Sequence, residues 1–277
     1  MNKKTLKILE FDKILEKLAS YAVGEEAKEM CLKLSPSADE AEIKSAISET
    51  TDAQRMTARC SSPAFSALKP VSGAIKRAEI GSVLNIPELI LCGKVMQSAR
   101  VIKSYGSSDK FEQETSVSSY FNMLIPDKKF EDTIFGNLIG ENEIADSASP
   151  ELNSIRKQMR RANDKIRDIL NNMIHSSKYS KALQDSIVTM RGDRYVVPVK
   201  AEHKGEVSGI VHDTSSSGST LFVEPAAVVA ENNRLRELEG MEADEITKIL
   251  EEYTGMVNGI SEIIMQNYKI LTTLDFI

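Results

Sequence analysis

The side chains that could do chemistry in this chain are cationic and hydroxyl groups concentrated between residues 186 and 225. The candidates for contacting a phosphate backbone are Arg191, Arg194, Lys200, His203, Lys204, Ser215, Ser216 and Ser217. Such groups bind phosphate oxygens without reading sequence, so the contact would depend on salt. The same stretch holds four Lys/Arg and five Asp/Glu, so turn chemistry on a structural module is the alternative.

Motifs for catalysis or cofactor binding are missing from the sequence. The nearest phosphate-loop lookalike, residues 217–220, lacks the lysine that such a loop needs. His212 precedes an aspartate and several serines, but no nucleophile elbow accompanies them. The three cysteines have neither metal nor disulfide spacing. We therefore expect no catalytic residue, no metal site and no cofactor site in this chain.

Short runs rich in Val and Ile predict the strands that would position the candidate residues. These runs are Ser186–Met190, Arg194–Lys200, Val207–His212 and Thr220–Val223. Turn residues separate them, which predicts a small antiparallel meander of about four strands. Pro198 has no N–H to donate, so its strand should have an edge or a bulge at that position.

Two amphipathic helices are predicted to flank this insert. Ser149 and Pro150 form a helix start, and apolar residues then recur at steps of three and four as far as Met173. This pattern predicts a helix of about 30 residues, roughly 45 Å long. A second helix is predicted after Pro225, and its apolar pattern changes phase near residues 240–244, which we interpret as a local irregularity.

The two predicted helices carry opposite charge. Residues 151–181 contain eight Lys/Arg and three Asp/Glu, whereas residues 231–252 contain three Lys/Arg and eight Asp/Glu. Antiparallel packing would therefore neutralise the basic helix, although each exposed pair adds only about 0.3–0.5 kcal/mol. The sharper alternative is that the basic helix binds nucleic acid through Arg156, Lys157, Arg160 and Arg161.

Composition limits the other functional classes. The chain has 277 residues, a net charge of −6 and a pI of about 5.4, which is untypical of a basic nucleic-acid-coating protein. Tryptophan is absent and aromatics make up 5%, which argues against a base-stacking platform. No signal-peptide core or bilayer-spanning run is visible, and the cysteines fit free thiols, so we expect a cytoplasmic location and no membrane partner.

The first half of the chain has helical periodicity throughout. The predicted organisation is a helical core over 1–148, an outgoing helix over 149–185, a β insert over 186–225 and a returning helix over 226–277. One or two helices are expected between Phe111 and Ile134, interrupted near Pro126. The predicted fold class is mainly α: a helical core plus a long antiparallel two-helix lever that carries a small antiparallel β domain at its tip.

Four segments resemble the lever and clamp of MutS-like proteins, most closely the type-two branch of bacterial endonucleases. They are Ile144–Leu152 (IADSASPEL), Arg191–Lys200 (RGDRYVVPVK), Gly209–Pro225 (GIVHDTSSSGSTLFVEP) and Asn232–Leu235 (NNRL). The resemblance is specific over residues 144–236. It is looser over the residues before 144, which are still consistent with the family. As in that branch, we expect the chain to begin directly with the core, without a mismatch-reading or connector domain.

The resemblance implies a dimeric, ATP-controlled clasp whose levers and clamps embrace nucleic acid. Its partner would be DNA, duplex or branched, in suppression of recombination, or ribosomal RNA in rescue of collided ribosomes. The family's ATPase domain, which would use ATP and Mg, and its Smr nuclease-type domain are not in this sequence. The apolar pattern still runs at residues 270–277, so we expect a fragment. The alternative is a structural lever that faces protein or ribosome and has little affinity for free DNA.

Overall fold

The computed structural model describes residues 3–66, 68–108 and 114–277, and it divides into two compact units. We call Met1–Ala145 with Leu250–Ile277 the helical unit, and Asp146–Ile249 the mixed unit. Helices predominate, and a small antiparallel sheet of four strands accompanies them, which confirms the predicted mainly α class. Among the described residues, no helix is both long and apolar enough to cross a bilayer.

The helices of the chain begin and end at residues that the sequence largely marks. They are α1 (Lys3–Ile8), α2 (Phe11–Ala19), α3 (Glu25–Lys33), α4 (Glu40–Cys60), α5 (Ser72–Glu79), α6 (Ile86–Gly106), α7 (Ser118–Met123), α8 (Lys128–Asn137), α9 (Pro150–Ile174), α10 (Val229–Gly259) and α11 (Ser261–Phe276). Side-chain caps explain several starts, such as the Asn85 and Glu88 capping box of α6. The helices expected after Phe111 are α7 and α8, while Phe111 itself lies outside the described residues.

The core of the helical unit is built around α6, which packs against α8 and α11. Its apolar side chains, including Leu89, Met96 and Ile102, are fully buried. One polar residue of α11 is also fully buried: Asn267 accepts from the Ile125 amide at 2.9 Å and donates to its carbonyl at 2.8 Å. The Asn267 side chain thus supplies the hydrogen bonds of the Ile125 backbone, which lies outside any helix or strand. This role explains why an asparagine occurs within an apolar stripe.

Glu131 of α8 is a buried carboxylate of the helical unit, with 3% of its surface exposed. Arg100 donates to it twice, from Nε and Nη2, each at 2.8 Å, and Lys128 lies 3.3 Å away. The Arg100 hydrogen bonds hold the pKa of Glu131 below its usual value, and burial opposes this only in part. The ion pair therefore joins α6 to α8 with a fixed geometry.

In the mixed unit, α9 ends at Ile174, earlier than the sequence indicates. Ser149 caps its start by accepting from the Leu152 amide at 3.0 Å. The residues after α9 turn toward the sheet: Ala182 and Leu183 are buried, and the Gln184 amide donates to the Pro198 carbonyl at 2.9 Å. Because these backbone groups pair with a strand, they are not available to extend the helix.

Helix α10 is continuous through residues 240–244, so the predicted irregularity is not a break. Gly240 is exposed, and open space surrounds the position of its missing side chain. A glycine in an exposed helix interior costs about 1 kcal/mol but does not by itself end the helix. The interruption falls instead at Ile260, with φ −125° and ψ 19°, between α10 and α11.

The four strands are β1 (Thr189–Arg191), β2 (Arg194–Lys200), β3 (Gly209–Thr214) and β4 (Thr220–Pro225), in the order β1-β2-β4-β3. The prediction of a meander is therefore wrong, because β4 inserts between β2 and β3. A 3₁₀ stretch, Ala201–Glu206, connects β2 to β3 and is too long for a tight hairpin. Gly192 and Asp193 both have positive φ, as a two-residue hairpin turn requires.

Pro198 lies at a point where β1 no longer pairs with β2. Strand β1 pairs with residues 194–196 of β2, whereas β4 pairs with residues 197–200. The Pro198 carbonyl points away from β4 and accepts from Gln184. Pro198 is buried, and on this side β2 meets, within the described residues, only an isolated bridge between Leu183 and Val199. No described strand there needs the N–H that the proline lacks.

One face of the sheet packs on α9 in a shared core. Val197, Val199 and Val223 of the sheet are buried with Ile166 and Leu170 of the helix. At the end of the sheet, Gly209 of β3 lies so close to β4 that an added Cβ would be 2.1 Å from the Glu224 carbonyl oxygen. Only glycine permits this approach.

Replacing Glu131 with Gln should lower the free energy of unfolding at pH 7 by about 1–3 kcal/mol, because Arg100 is then left without a charged acceptor. The pKa of Glu131 is lower in the folded state than its ordinary 4.5. Its contribution is therefore complete above about pH 4.5 and is lost as the pH falls through the folded value. Urea unfolding at pH 7 and pH 3.5 measures this. An equal effect from the exposed control Glu141→Gln, or a pH-independent difference, would contradict it.

Gly209→Ala should destabilise the β3–β4 pairing by about 2–3 kcal/mol, because β4 must move to admit the methyl group. The matched control is Gly205→Ala, where nothing lies within 4 Å of the added Cβ. Thermal unfolding of the two variants tests the difference. Equal melting temperatures would show that the close approach of the strands is not a constraint.

Candidate nucleic-acid interface

The backbone brings Lys181 close to Lys200 where β2 ends, and Lys204 follows four residues later. The Lys200 ammonium donates to the Lys181 carbonyl at 3.2 Å, and the Lys200 amide donates to the Ala182 carbonyl at 2.9 Å. Lys204 follows in the 3₁₀ stretch, is exposed, and forms no ion pair among the described residues. The sequence did not indicate Lys181 as a candidate, since it was assigned to the outgoing helix.

A serine-rich turn lies beside this end of β2. The Ala201 amide donates to the Ser219 carbonyl at 2.9 Å, which brings the turn next to the 3₁₀ stretch. Within the turn, the Ser215 hydroxyl accepts from the Thr220 amide at 3.0 Å, and Gly218 has φ 72°. The Ser217 hydroxyl lies 2.7 Å from that of Ser219. Ser215 thus shapes the turn, and Ser216 is exposed.

We call Lys181, Lys200 and Lys204 with the turn Ser215–Ser219 the lysine end of the sheet. His203 lies within it, and its Nδ1 is 2.8 Å from the Glu206 carboxylate. Residues 200–206 contain two lysines and two glutamates, so the formal charge of this segment alone is zero. The addition of Lys181 by the preceding turn makes the lysine end positive.

The two candidate arginines lie on β1 and at the opposite end of β2. Arg191 stacks over Phe222, with its guanidinium carbon 3.9 Å from the ring centroid, and its Nε is 3.1 Å from the Asp213 carboxylate. Arg194 and Lys200 are the first and last residues of β2, a separation of about 20 Å along an extended strand. The structure therefore does not bring the eight candidates into one site. The roles of these arginines in nucleic-acid binding stay predictions.

Arg194 belongs to a buried network centred on Glu224, whose side chain has no exposure to solvent. Arg194 Nη1 donates to both carboxylate oxygens, at 2.8 and 3.1 Å, and its Nη2 donates to Asn233 Oδ1 at 2.7 Å. Asn232 Nδ2 donates at 2.8 Å, and His212 Nε2 lies 2.6 Å from the second oxygen. Burial acts to raise the pKa of Glu224, but the hydrogen bonds from Asn232, His212 and Arg194 together lower it.

A β-bulge makes the His212 contact possible. The register shifts between Val211 and Asp213, so that His212 reaches Glu224 and Asp213 reaches Arg191 on the same face. In a regular strand, adjacent residues point to opposite faces. Glu224 was not identified from the sequence as the centre of a buried hydrogen-bond network. The signal was an acid inside the apolar strand of residues 221–225, which requires partners when buried.

The basic side of α9 is neutralised in part by α10. Arg156 forms ion pairs with Asp146 at 2.8 Å and with Glu242 at 2.6 Å, and Lys165 pairs with Glu231. The positions run in opposite order along the two helices, as in antiparallel packing. These contacts support mutual neutralisation for Arg156, while Lys157 and Arg161 stay exposed.

The described part of the chain contains no group of three or more His, Cys, Asp or Glu that could hold a metal ion. The one buried carboxylate of the mixed unit, Glu224, has its hydrogen-bonding capacity taken by Arg194, Asn232 and His212. What the arrangement offers chemically is a rigid scaffold and a set of exposed ammonium, hydroxyl and amide groups.

Comparison with known proteins gives a consistent set of relatives, although no family model matches the chain. The chain is 46% identical to Endonuclease MutS2 of Acetivibrio thermocellus, over all of this chain and 35% of that relative. It is 43% identical to Endonuclease MutS2 of Agathobacter rectalis and 41% identical to that of Ruminiclostridium cellulolyticum, with the same coverage. Over its whole length the chain is therefore similar to proteins named Endonuclease MutS2, of which it spans about a third.

Proposed function

We propose that this chain is the nucleic-acid-contacting part of a MutS-like protein, and that its lysine end contacts the phosphate backbone of DNA. The name of the relatives, an endonuclease, supports a nucleic-acid substrate. The observation behind the residue assignment is the contact of the Lys200 ammonium with the Lys181 carbonyl, which brings a third lysine to a segment whose charges otherwise balance.

The chemistry of this surface suits backbone contact rather than base reading. Ammonium groups act as point charges, and exposed serine hydroxyls add hydrogen bonds to phosphate oxygens. The lysine end offers no Asn, Gln or Arg fork for the edge of a base. Binding should therefore be sensitive to salt and poor in sequence preference.

The further parts of the proposal follow the resemblance to MutS-like proteins. Helices α9 and α10 would act as a lever and the sheet as a clamp, and both would be coupled to an ATPase domain that uses ATP and Mg. A dimer would close the clasp around DNA, branched or duplex, in suppression of recombination. The cytoplasm is the proposed location.

A second candidate is a structural lever that faces the ribosome or another protein. The observation in its favour is that several cations are already paired within the mixed unit: Arg156 with Glu242, Lys165 with Glu231, and Arg191 with Asp213. Ribosomal RNA would also present phosphates to the lysine end. This candidate differs from the first in predicting little affinity for free DNA.

The triple variant Lys181→Gln, Lys200→Gln and Lys204→Gln should weaken DNA binding and reduce the slope of log K against log salt by about 3, one for each phosphate that no longer meets an ammonium group. Fluorescence anisotropy with labelled duplex and four-way-junction DNA, between about 50 and 200 mM salt, measures both. The matched control is Lys157→Gln, Arg161→Gln and Arg167→Gln, which removes the same charge from the exposed side of α9.

A control that loses as much affinity as the triple variant would place the DNA on α9 and contradict the assignment. Wild-type protein that ignores both DNA forms at about 50 mM salt, yet co-sediments with ribosomes, would favour the second candidate.

A further inference from the structure

We propose that Glu224 is a positioning residue, whose buried carboxylate locks the sheet to α10 and so fixes the direction in which the lysine end points. The lock itself is independent of what the lysine end binds, and only its effect on DNA affinity rests on the proposed function. The carboxylate has no exposure to solvent, so Glu224 acts through the elements that it joins.

Three elements meet at this one carboxylate. Arg194 starts β2, His212 is the bulged residue of β3, and Asn232 lies in the first turns of α10. Glu224 itself is on β4. A single side chain therefore connects three of the four strands to a helix.

The hydrogen bonds of Asn232 fix the orientation of α10 relative to β2. Besides donating to Glu224, its amide donates to the Tyr195 carbonyl at 3.2 Å and accepts from the Tyr195 amide at 3.4 Å. The side chain thus pairs with β2 as a neighbouring strand would. Arg194 adds a second contact through Asn233, so α10 is held at two consecutive residues.

Tyr195 extends the network to α9. Its hydroxyl donates to Asn163 Oδ1 at 2.7 Å, and Asn163 Nδ2 donates to the Met159 carbonyl at 3.0 Å. A continuous chain of hydrogen bonds therefore runs from α9 through β2 to α10. Both helices are fixed to the same end of β2, the end opposite Lys200.

Apolar packing alone would not fix this orientation. The valines of the sheet and the isoleucines of α9 form a core, but such contact is non-directional and permits small rotations. A fully buried carboxylate cannot turn out of its network without breaking every one of its hydrogen bonds. A rotation of about 10° at Arg194 would move Lys200 by roughly 3–4 Å, since the strand between them spans about 20 Å.

The test compares Glu224→Gln, which keeps the size of the side chain but removes its charge, with Glu239→Gln, an exposed acid of α10. Spin labels on cysteines introduced at Ser216, in the lysine end, and at the exposed Arg236, on α10, report the orientation of the sheet relative to that helix. Cys60 is partly exposed and is replaced by serine to prevent its labelling. Cys31 and Cys92 are buried and are left unchanged. The inference predicts a distance distribution about twofold wider in Glu224→Gln and unchanged in Glu239→Gln.

DNA binding gives a second readout, which separates misdirection of the lysine end from removal of its charge. Glu224→Gln should lower affinity severalfold while the salt slope stays at the wild-type value, because all three lysines remain. Should Glu224→Gln fail to fold, His212→Ala takes its place, since it removes only the partner that is 24% exposed. A smaller but measurable broadening is then expected.

An unchanged, narrow distance distribution in the folded variants would overturn the inference. Broadening in protein that does not bind DNA would support the lock and refute the proposed function, so the two failures are distinguishable.

Discussion

The mixed unit depends on one constraint, the burial of the Glu224 carboxylate between the sheet and the start of α10. A charge with no access to water is costly unless cationic and hydrogen-bonding groups surround it. The chain meets this requirement with Arg194, Asn232 and His212, drawn from three separate elements. The bulge in β3 and the start of α10 beside β2 both follow from the need to bring these groups to one point.

The division of labour between arginine and lysine follows from their chemistry. A guanidinium group is planar and offers several donors, so it suits bidentate pairing and stacking on aromatic rings. Arg156, Arg191 and Arg194 are used in this way, in ion pairs within the unit. The lysines at the end of β2 carry point charges on flexible stems and stay at the surface. We therefore propose phosphate contact for the lysines, which the fold does not use in ion pairs.

The sequence predicts the local features of this fold and misses those that depend on distant residues. Periodicity and caps locate the start of α9, and β-branched runs locate β2 and β4, because these signals are local. The insertion of β4 between β2 and β3, and the end of α9 at Ile174, depend on pairing between segments far apart in sequence. The lysine end shows the same limit: Lys200 and Lys204 are visible as cations, but Lys181 joins them only through the turn after α9.

The central claim, that nucleic acid contacts the lysine end, is tested most directly by hydrogen–deuterium exchange of the wild-type chain with and without duplex DNA at low salt. The account predicts slower exchange in residues 200–206 and 215–219, with α9 between residues 157 and 167 unchanged. Protection confined to α9, or no protection under conditions where anisotropy shows the DNA to be bound, would contradict it.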